Sequence, residues 1–166
     1  MKRSLFLLPA SLAALLAVAG CGGGSNSNSS AATSTATPAK TASAATTIDV
    51  HKSDLGHILV DSQGRTLYLF EKDKNGKSAC SGACASAWPP LTTSSAAVAG
   101  TGAAKKLLGT TKRSDGTMQA TYNGWPLYLY AGDAASGQTN GQGLDQFGAE
   151  WYVLAPSGKK VEKEGS

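Results

Sequence analysis

The feature that most constrains this chain is a repeat of its own sequence. Residues 67–73 read LYLFEKD and residues 127–133 read LYLYAGD. In both copies a turn-rich segment precedes the motif and a glycine-rich stretch follows. A tryptophan then comes about twenty residues later, Trp88 in the first copy and Trp151 in the second. Self-similarity of this kind marks one supersecondary unit used twice. At strand periodicity Tyr68 and Phe70 share one face, as do Tyr128 and Tyr130, while Leu67, Leu69 and Leu127, Leu129 share the other. Strands apolar on both faces must be covered on both, or else use the aromatic face to meet something outside.

The flanking signals are mostly β. Ile58 and Val60, then Leu67 and Leu69, bracket the turn-forming Asp61, Ser62, Gln63 and Gly64, a hairpin pattern. SDGT at 114–117 predicts a second hairpin. Asn123 and Gly124 predict a third turn leading into WPLYLY, with Pro126 at the mouth of that strand, where a missing amide proton is tolerated. EWYVLAPSGKKV predicts two short strands around Pro156, Ser157 and Gly158. Only residues 81–88 and 103–108 read as helical. All ten aromatic residues beyond the leader lie between Tyr68 and Tyr152. The expected fold is therefore mainly β: one domain over residues 48–164 with two tandem repeats of antiparallel strands and hairpins, about 48–91 and 107–155, and one or two short helices.

The first 21 residues, MKRSLFLLPASLAALLAVAGC, start basic at Lys2 and Arg3 and continue apolar from Leu5 to Gly20. That stretch falls short of the roughly 20 residues that span a bilayer, so residues 1–20 read as a signal peptide. Val18, Ala19, Gly20 and Cys21 resemble the bacterial lipobox. The resemblance implies diacylglycerol on the Cys21 sulfur, cleavage before Cys21 and acylation, as by palmitate, of the new amino terminus. Each buried methylene contributes about 0.8 kcal/mol, so several chains would hold the protein on a membrane without a span. Gly22 rather than Asp follows the cysteine, which by resemblance to Gram-negative sorting implies the outer membrane. The plainer alternative is an ordinary signal peptide with Cys21 an incidental thiol.

Residues 22–47 contain one charge, Lys40, and no aromatic residue. Such a segment cannot bury enough surface to offset its ordering entropy. With Cys21 it reads as a lipidated cysteine and disordered tether over 21–47, with a root-mean-square reach of about 28 Å. Fifteen basic residues face eleven acidic ones. Without Lys2 and Arg3 the balance is thirteen to eleven, which excludes a nucleic-acid binder driven by bulk charge.

These features together resemble a family of bacterial secreted lipoproteins with tandem repeats carrying Tyr, any residue, Phe/Trp/Tyr, two residues, then Asp. Tyr68, Phe70 and Asp73 match in the first copy, and Tyr128, Tyr130 and Asp133 in the second. CSGACASAWPPL at 80–91, YNGWPLY at 122–128 and GQTNGQGLDQFGAEWYVL at 137–154 extend the likeness over nearly the whole folded part. Trp125 departs from it, standing where many relatives have histidine, so a shared imidazole role does not carry over. The family's activity is undefined, and the resemblance implies an envelope address and a repeat architecture without adding chemistry.

Once Cys21 is lipidated, Cys80 and Cys84 form an even pair in an oxidising compartment, where a structural disulfide is the default. Gly82 lets the intervening segment bend into a turn or a distorted helical start. A thiol–disulfide redox site is the rival, although three residues separate the cysteines rather than two and no βαβ pattern surrounds them. A zinc or copper site would need both thiolates to converge with His51 and His57. Asp73 and Asp133 recur at the end of each motif and read as turn caps accepting backbone N–H bonds. The sharper alternative is calcium along residues 133–145, between Asp133 and Asp145, which lack the acidic density of an EF-hand loop. Paired carboxylate catalysis has no visible companion residues. Trp88, Trp125 and Trp151 with Tyr122 and Tyr152 read as core, with an aromatic platform for glycan or apolar ligands as the alternative. No serine–histidine–acid order, phosphate loop or dinucleotide fingerprint is present. The expectation is a membrane-anchored envelope lipoprotein with no cofactor, no metal and no nucleic-acid partner, which binds an unknown envelope ligand or protein and catalyses nothing. The alternatives are a periplasmic redox protein and a metal-binding envelope protein.

Overall fold

The computed structural model describes residues 45–162; the expected signal peptide, Cys21 and the expected tether as far as residue 44, together with residues 163–166, lie outside the described residues. The chain opens with a hairpin of β1 (Thr47–Ser53) and β2 (Gly56–Asp61), in register from Ile48 opposite Asp61 to Ser53 opposite Gly56. Strand β1 thus takes in Thr47. The short β3 (Tyr68–Phe70) follows, then helix α1 (Ala83–Ala87), β4 (Val98–Ala99) and a 3₁₀ turn at Lys105–Leu107. Next come the hairpin of β5 (Leu108–Lys112) and β6 (Met118–Tyr122), then β7 (Trp125–Pro126), β8 (Leu144–Gln146) and β9 (Ala149–Val153). They form three three-stranded sheets, β2-β1-β4, β3-β9-β8 and β5-β6-β7, with antiparallel neighbours except for the parallel pair β1 and β4. The fold is mainly β, and its helices are the single short α1 and the 3₁₀ turn among the described residues. None of these is long and apolar enough to cross a membrane.

The hairpins at 61–64 and 114–117 form where turn residues predict them. Asp61 N–H bonds Arg65 O at 2.9 Å, and Arg113 N–H bonds Thr117 O at 2.9 Å. The opening β1–β2 hairpin has no such forecast, because its turn residues Asp54 and Leu55 interrupt a run in which polar residues occupy both faces. The WPLYLY segment is a regular strand only at Trp125–Pro126. Beyond it Tyr128 makes isolated bridges to Tyr68 and to Pro90. The facing segment carries Pro89 and Pro90, which have no N–H to give, so a continuous ladder is impossible there.

The two copies of the motif meet at equivalent residues. Tyr68 N–H bonds Tyr128 O at 2.9 Å and Tyr128 N–H bonds Tyr68 O at 3.0 Å. Around this closed pair the other bonds come in reciprocal sets. Leu91 N–H, from the end of the first repeat, reaches Leu127 O at 2.8 Å, and Leu154 N–H, from the end of the second, reaches Leu67 O at 3.3 Å. Likewise Ala131 N–H meets Ala87 O at 2.9 Å, and Glu71 N–H meets Glu150 O at 3.0 Å. Each repeat therefore completes the other's sheet about a local twofold relation, with Trp151 opposite Phe70 in β9 and β3.

Both faces of the motif are buried, as its period-two pattern requires. Leu67, Leu69 and Leu127 join Ile48, Leu59 and Tyr122 in one apolar cluster. Tyr68, Phe70 and Tyr128 join Trp88, Trp151 and Val153 in another.

Candidate functional site

The aromatic cluster is built from residues that match one another across the repeats. Phe70 stacks on Trp151 at 4.0 Å between ring centroids, Trp151 on Trp88 at 3.9 Å, and Trp88 on Tyr130 at 4.3 Å. The order alternates first repeat, second, first, second. Tyr68 lies edge-on to Trp88 at 5.3 Å, and Tyr128 edge-on to Trp151 at 5.1 Å. Gln146 serves both indoles, its side-chain oxygen accepting Trp88 Nε1–H at 3.0 Å and its backbone oxygen Trp151 Nε1–H at 3.1 Å. Gly141 closes over the stack at a point where a Cβ would lie 2.7 Å from the Trp88 ring.

The two aspartates are held in the same reciprocal fashion. Tyr128 donates its hydroxyl to Asp73 Oδ2 at 2.7 Å, and Tyr68 donates to Asp133 Oδ2 at 2.7 Å. The other carboxylate oxygens cap loops, Asp73 Oδ1 accepting Ala79 N–H at 2.7 Å and Asp133 Oδ1 accepting Asn140 N–H at 2.9 Å. Burial raises both carboxyls above the ordinary range against the pull of these donors. Burial also raises both phenols, helped by the neighbouring carboxylate in each pair, so the tyrosines stay protonated and donate.

Beneath Asp73 lies a buried polar network that no local pattern in the sequence announces. Arg113, whose side chain is only 3% exposed, donates to Ser78 Oγ at 2.8 Å, Gln119 Oε1 at 2.7 Å and Cys80 O at 2.6 Å. Ser78 also donates its hydroxyl to the Tyr128 oxygen at 2.7 Å, whose own proton goes to Asp73. The positive charge of Arg113 partly offsets the cost of burying Asp73. A lone arginine after a strand carries no local signal of burial, since arginines are mostly exposed. The Cys80–Cys84 disulfide sits directly above, with Cα atoms 5.3 Å apart and both residues buried.

The expected site residues thus part into two groups. Tyr68, Phe70, Trp88 and Tyr128 are sealed inside and offer no surface to a ligand, and Asp73 keeps only 2% of its surface, at the floor of a cleft. Tyr130, Asp133 and Trp125 are half-buried and line clefts. The aromatic platform does not assemble, because Trp88, Trp151 and Tyr122 are fully buried, and only Trp125 and Tyr152 reach solvent. Metal ligation by the cysteines with His51 and His57 does not assemble either, since the two sulfurs are bonded to each other. Among the described residues no group of three or more His, Cys, Asp and Glu side chains is placed to hold a metal ion. Asp133, one end of the calcium alternative, spends both oxygens on Tyr68 and Asn140, and Asp145 lies exposed in β8.

Fold and site together define a two-repeat β module whose halves exchange their closing segments. The chain matches the model of a family described as a secreted repeat of unknown function, over residues 49–92 and again over 109–155, together more than half of its 166 residues. It belongs to that family. Among curated proteins and solved structures nothing matches it.

Proposed function

We propose that this secreted protein is a non-enzymatic binding module of the cell envelope, anchored to a membrane through lipid on Cys21, at the outer membrane in a Gram-negative host. The lipobox-like run from Val18 to Cys21 supports the anchor. One observation supports the non-enzymatic reading: the two repeat aspartates, Arg113 and the cysteine pair are bonded within the fold. Both aspartates are capped by tyrosine hydroxyls and backbone amides. Arg113 is satisfied on Ser78, Gln119, the Cys80 carbonyl and Asp115, and the disulfide is buried. A rigid body of this kind acts through its surface clefts.

Mass spectrometry of the mature amino-terminal peptide tests the anchor. A thioether-linked diacylglycerol on Cys21 is expected, with Cys21→Ser moving the protein from the membrane to the soluble fraction. A bare sulfur behind an intact leader would overturn the reading.

A further inference from the structure

We propose that the cleft beside Trp125 binds an acetamido sugar of a glycan chain. The argument rests on the local twofold relation, which relates two clefts and leaves the glycine carbonyls of their turns differently occupied. In each, the turn before one LYL motif faces the loop after the aspartate of the other repeat. One cleft, of about 210 Å³, is lined by Arg65, Thr66, Tyr130 and Asp133. The other, of about 340 Å³, is lined by Asn75, Gly76, Gly124 and Trp125 over Asp73. Gly64 and Gly124 hold the same place, each three residues before its LYL motif, and both have positive φ, 76° and 82°.

The Gly64 carbonyl is occupied by the protein itself. Ser136 donates its hydroxyl to Gly64 O at 3.0 Å, and Gly137 donates its N–H to the same oxygen at 3.0 Å. At Gly124 the matching loop is shorter and turns back at Asn75-Gly76, a tight turn with both residues at positive φ, 53° and 70°. A Cβ on Gly76 would lie 3.5 Å from Gly124 O, so the two turns abut. Among the described residues no donor bonds the Gly124 carbonyl. The Gly64 turn therefore displays the chemistry the Gly124 turn lacks, a hydroxyl and an amide N–H converging on one carbonyl. A 2-acetamido hexose carries that pair on adjacent ring carbons, and its C–H face suits the half-buried indole of Trp125. Asn123 gives its amide to Gly158 O at 3.1 Å, which leaves Asn75 as the cleft's side-chain amide. Trp125 also lines a neighbouring cleft of about 400 Å³ with Lys159 and Glu162, so a chain of sugars can continue past the indole. Both volumes fall in the range of small-molecule sites.

This assignment deepens the binding reading above and rests on it. The test titrates the full-length lipidated protein, in detergent micelles, with N-acetylglucosamine, its β-1,4 trimer and cellotriose, followed by calorimetry. The trimer should bind, with cellotriose, which has hydroxyls for acetamides, about tenfold weaker or worse. A trimer about tenfold tighter than the monomer supports a glycan chain; equal affinities would assign the cleft to free sugar and overturn the chain. Trp125→Ala should weaken trimer binding at least about tenfold and Trp125→Tyr much less. Should Trp125→Ala fail to fold, Asn75→Gly, which removes the amide and keeps the positive φ, is expected to weaken binding at an unchanged melting temperature. No binding by the wild type, equal binding of cellotriose, or indifference to the Trp125 and Asn75 changes would overturn the proposal. Chromatography of the recovered trimer tests the underlying reading separately, because hydrolysis would overturn the non-enzymatic assignment while leaving the site in place.

Discussion

Tyr128 donates its hydroxyl to Asp73 Oδ2 at 2.7 Å, across the two repeats and at a depth where Asp73 keeps 2% of its surface. Tyr128→Phe keeps the ring against Trp151 and leaves the carboxylate one donor short, at a cost of about 1–3 kcal/mol. Tyr68→Phe should cost less, because Asp133 is half-buried and water can replace the lost donor. Urea unfolding midpoints should therefore fall in the order wild type, Tyr68→Phe, Tyr128→Phe. Equal midpoints for the two variants would contradict the difference in burial.

Acid should strengthen the domain through the same two carboxyls. Burial raises Asp73 and Asp133 above the ordinary value of 3.8, so the folded chain holds these protons more tightly than the unfolded chain. Their contribution to stability grows as pH falls through the window above 3.8 and is lost as pH rises through it. An Asp73→Asn, Asp133→Asn variant lacks that increment. Thermal melts of both proteins between about pH 7 and pH 4 should show the difference in Tm moving in favour of the wild type toward acid.

The positive charge of Arg113 adds to the Ala79 and Tyr128 hydrogen bonds in offsetting the burial of Asp73. Arg113→Met should destabilise by about 3 kcal/mol, because it removes a positive charge near Asp73 and leaves Ser78, Gln119 and the Cys80 carbonyl without its donors. In an Asp73→Asn background the same substitution should cost less, since no uncompensated charge remains. A double-mutant cycle by chemical denaturation reads the coupling directly, and strict additivity would deny it.

Replacing Cys80 and Cys84 together by Ser should lower stability by about 2 kcal/mol, the loop-closure contribution of so small a ring. The buried pair should also resist reduction, with a potential below about −300 mV in thiol–disulfide equilibration. A value near that of thioredoxin would favour the redox alternative.

Much of the fold is legible in particular residues. The alternation in LYLF and LYLY forecasts strands covered on both faces, and Asp61 to Gly64, SDGT and Asn123-Gly124 mark real turns. The pairing between repeats is not legible, because each half carries the same motif and nothing local says whether a Leu-Tyr-Leu strand meets its own closing segment or its twin's. Asp73 and Asp133 signal loop caps through their position after a strand, yet their tyrosine partners lie 55 and 65 residues away. Trp88 and Trp151 are visible as repeat partners, whereas their stacking on each other depends on the exchange. Arg113 and Gln119 look like ordinary polar residues of a hairpin, and only the folded chain brings them under the disulfide.

Trp151 fills the slot between Phe70 and Trp88, so the first half of the domain has no finished interior until the last strand arrives. A chain exported amino terminus first must keep its early aromatic residues uncovered while some eighty more residues pass through the translocation pore. Closure then comes as one late step rather than half by half, and the polypeptide remains threadable for almost the whole crossing.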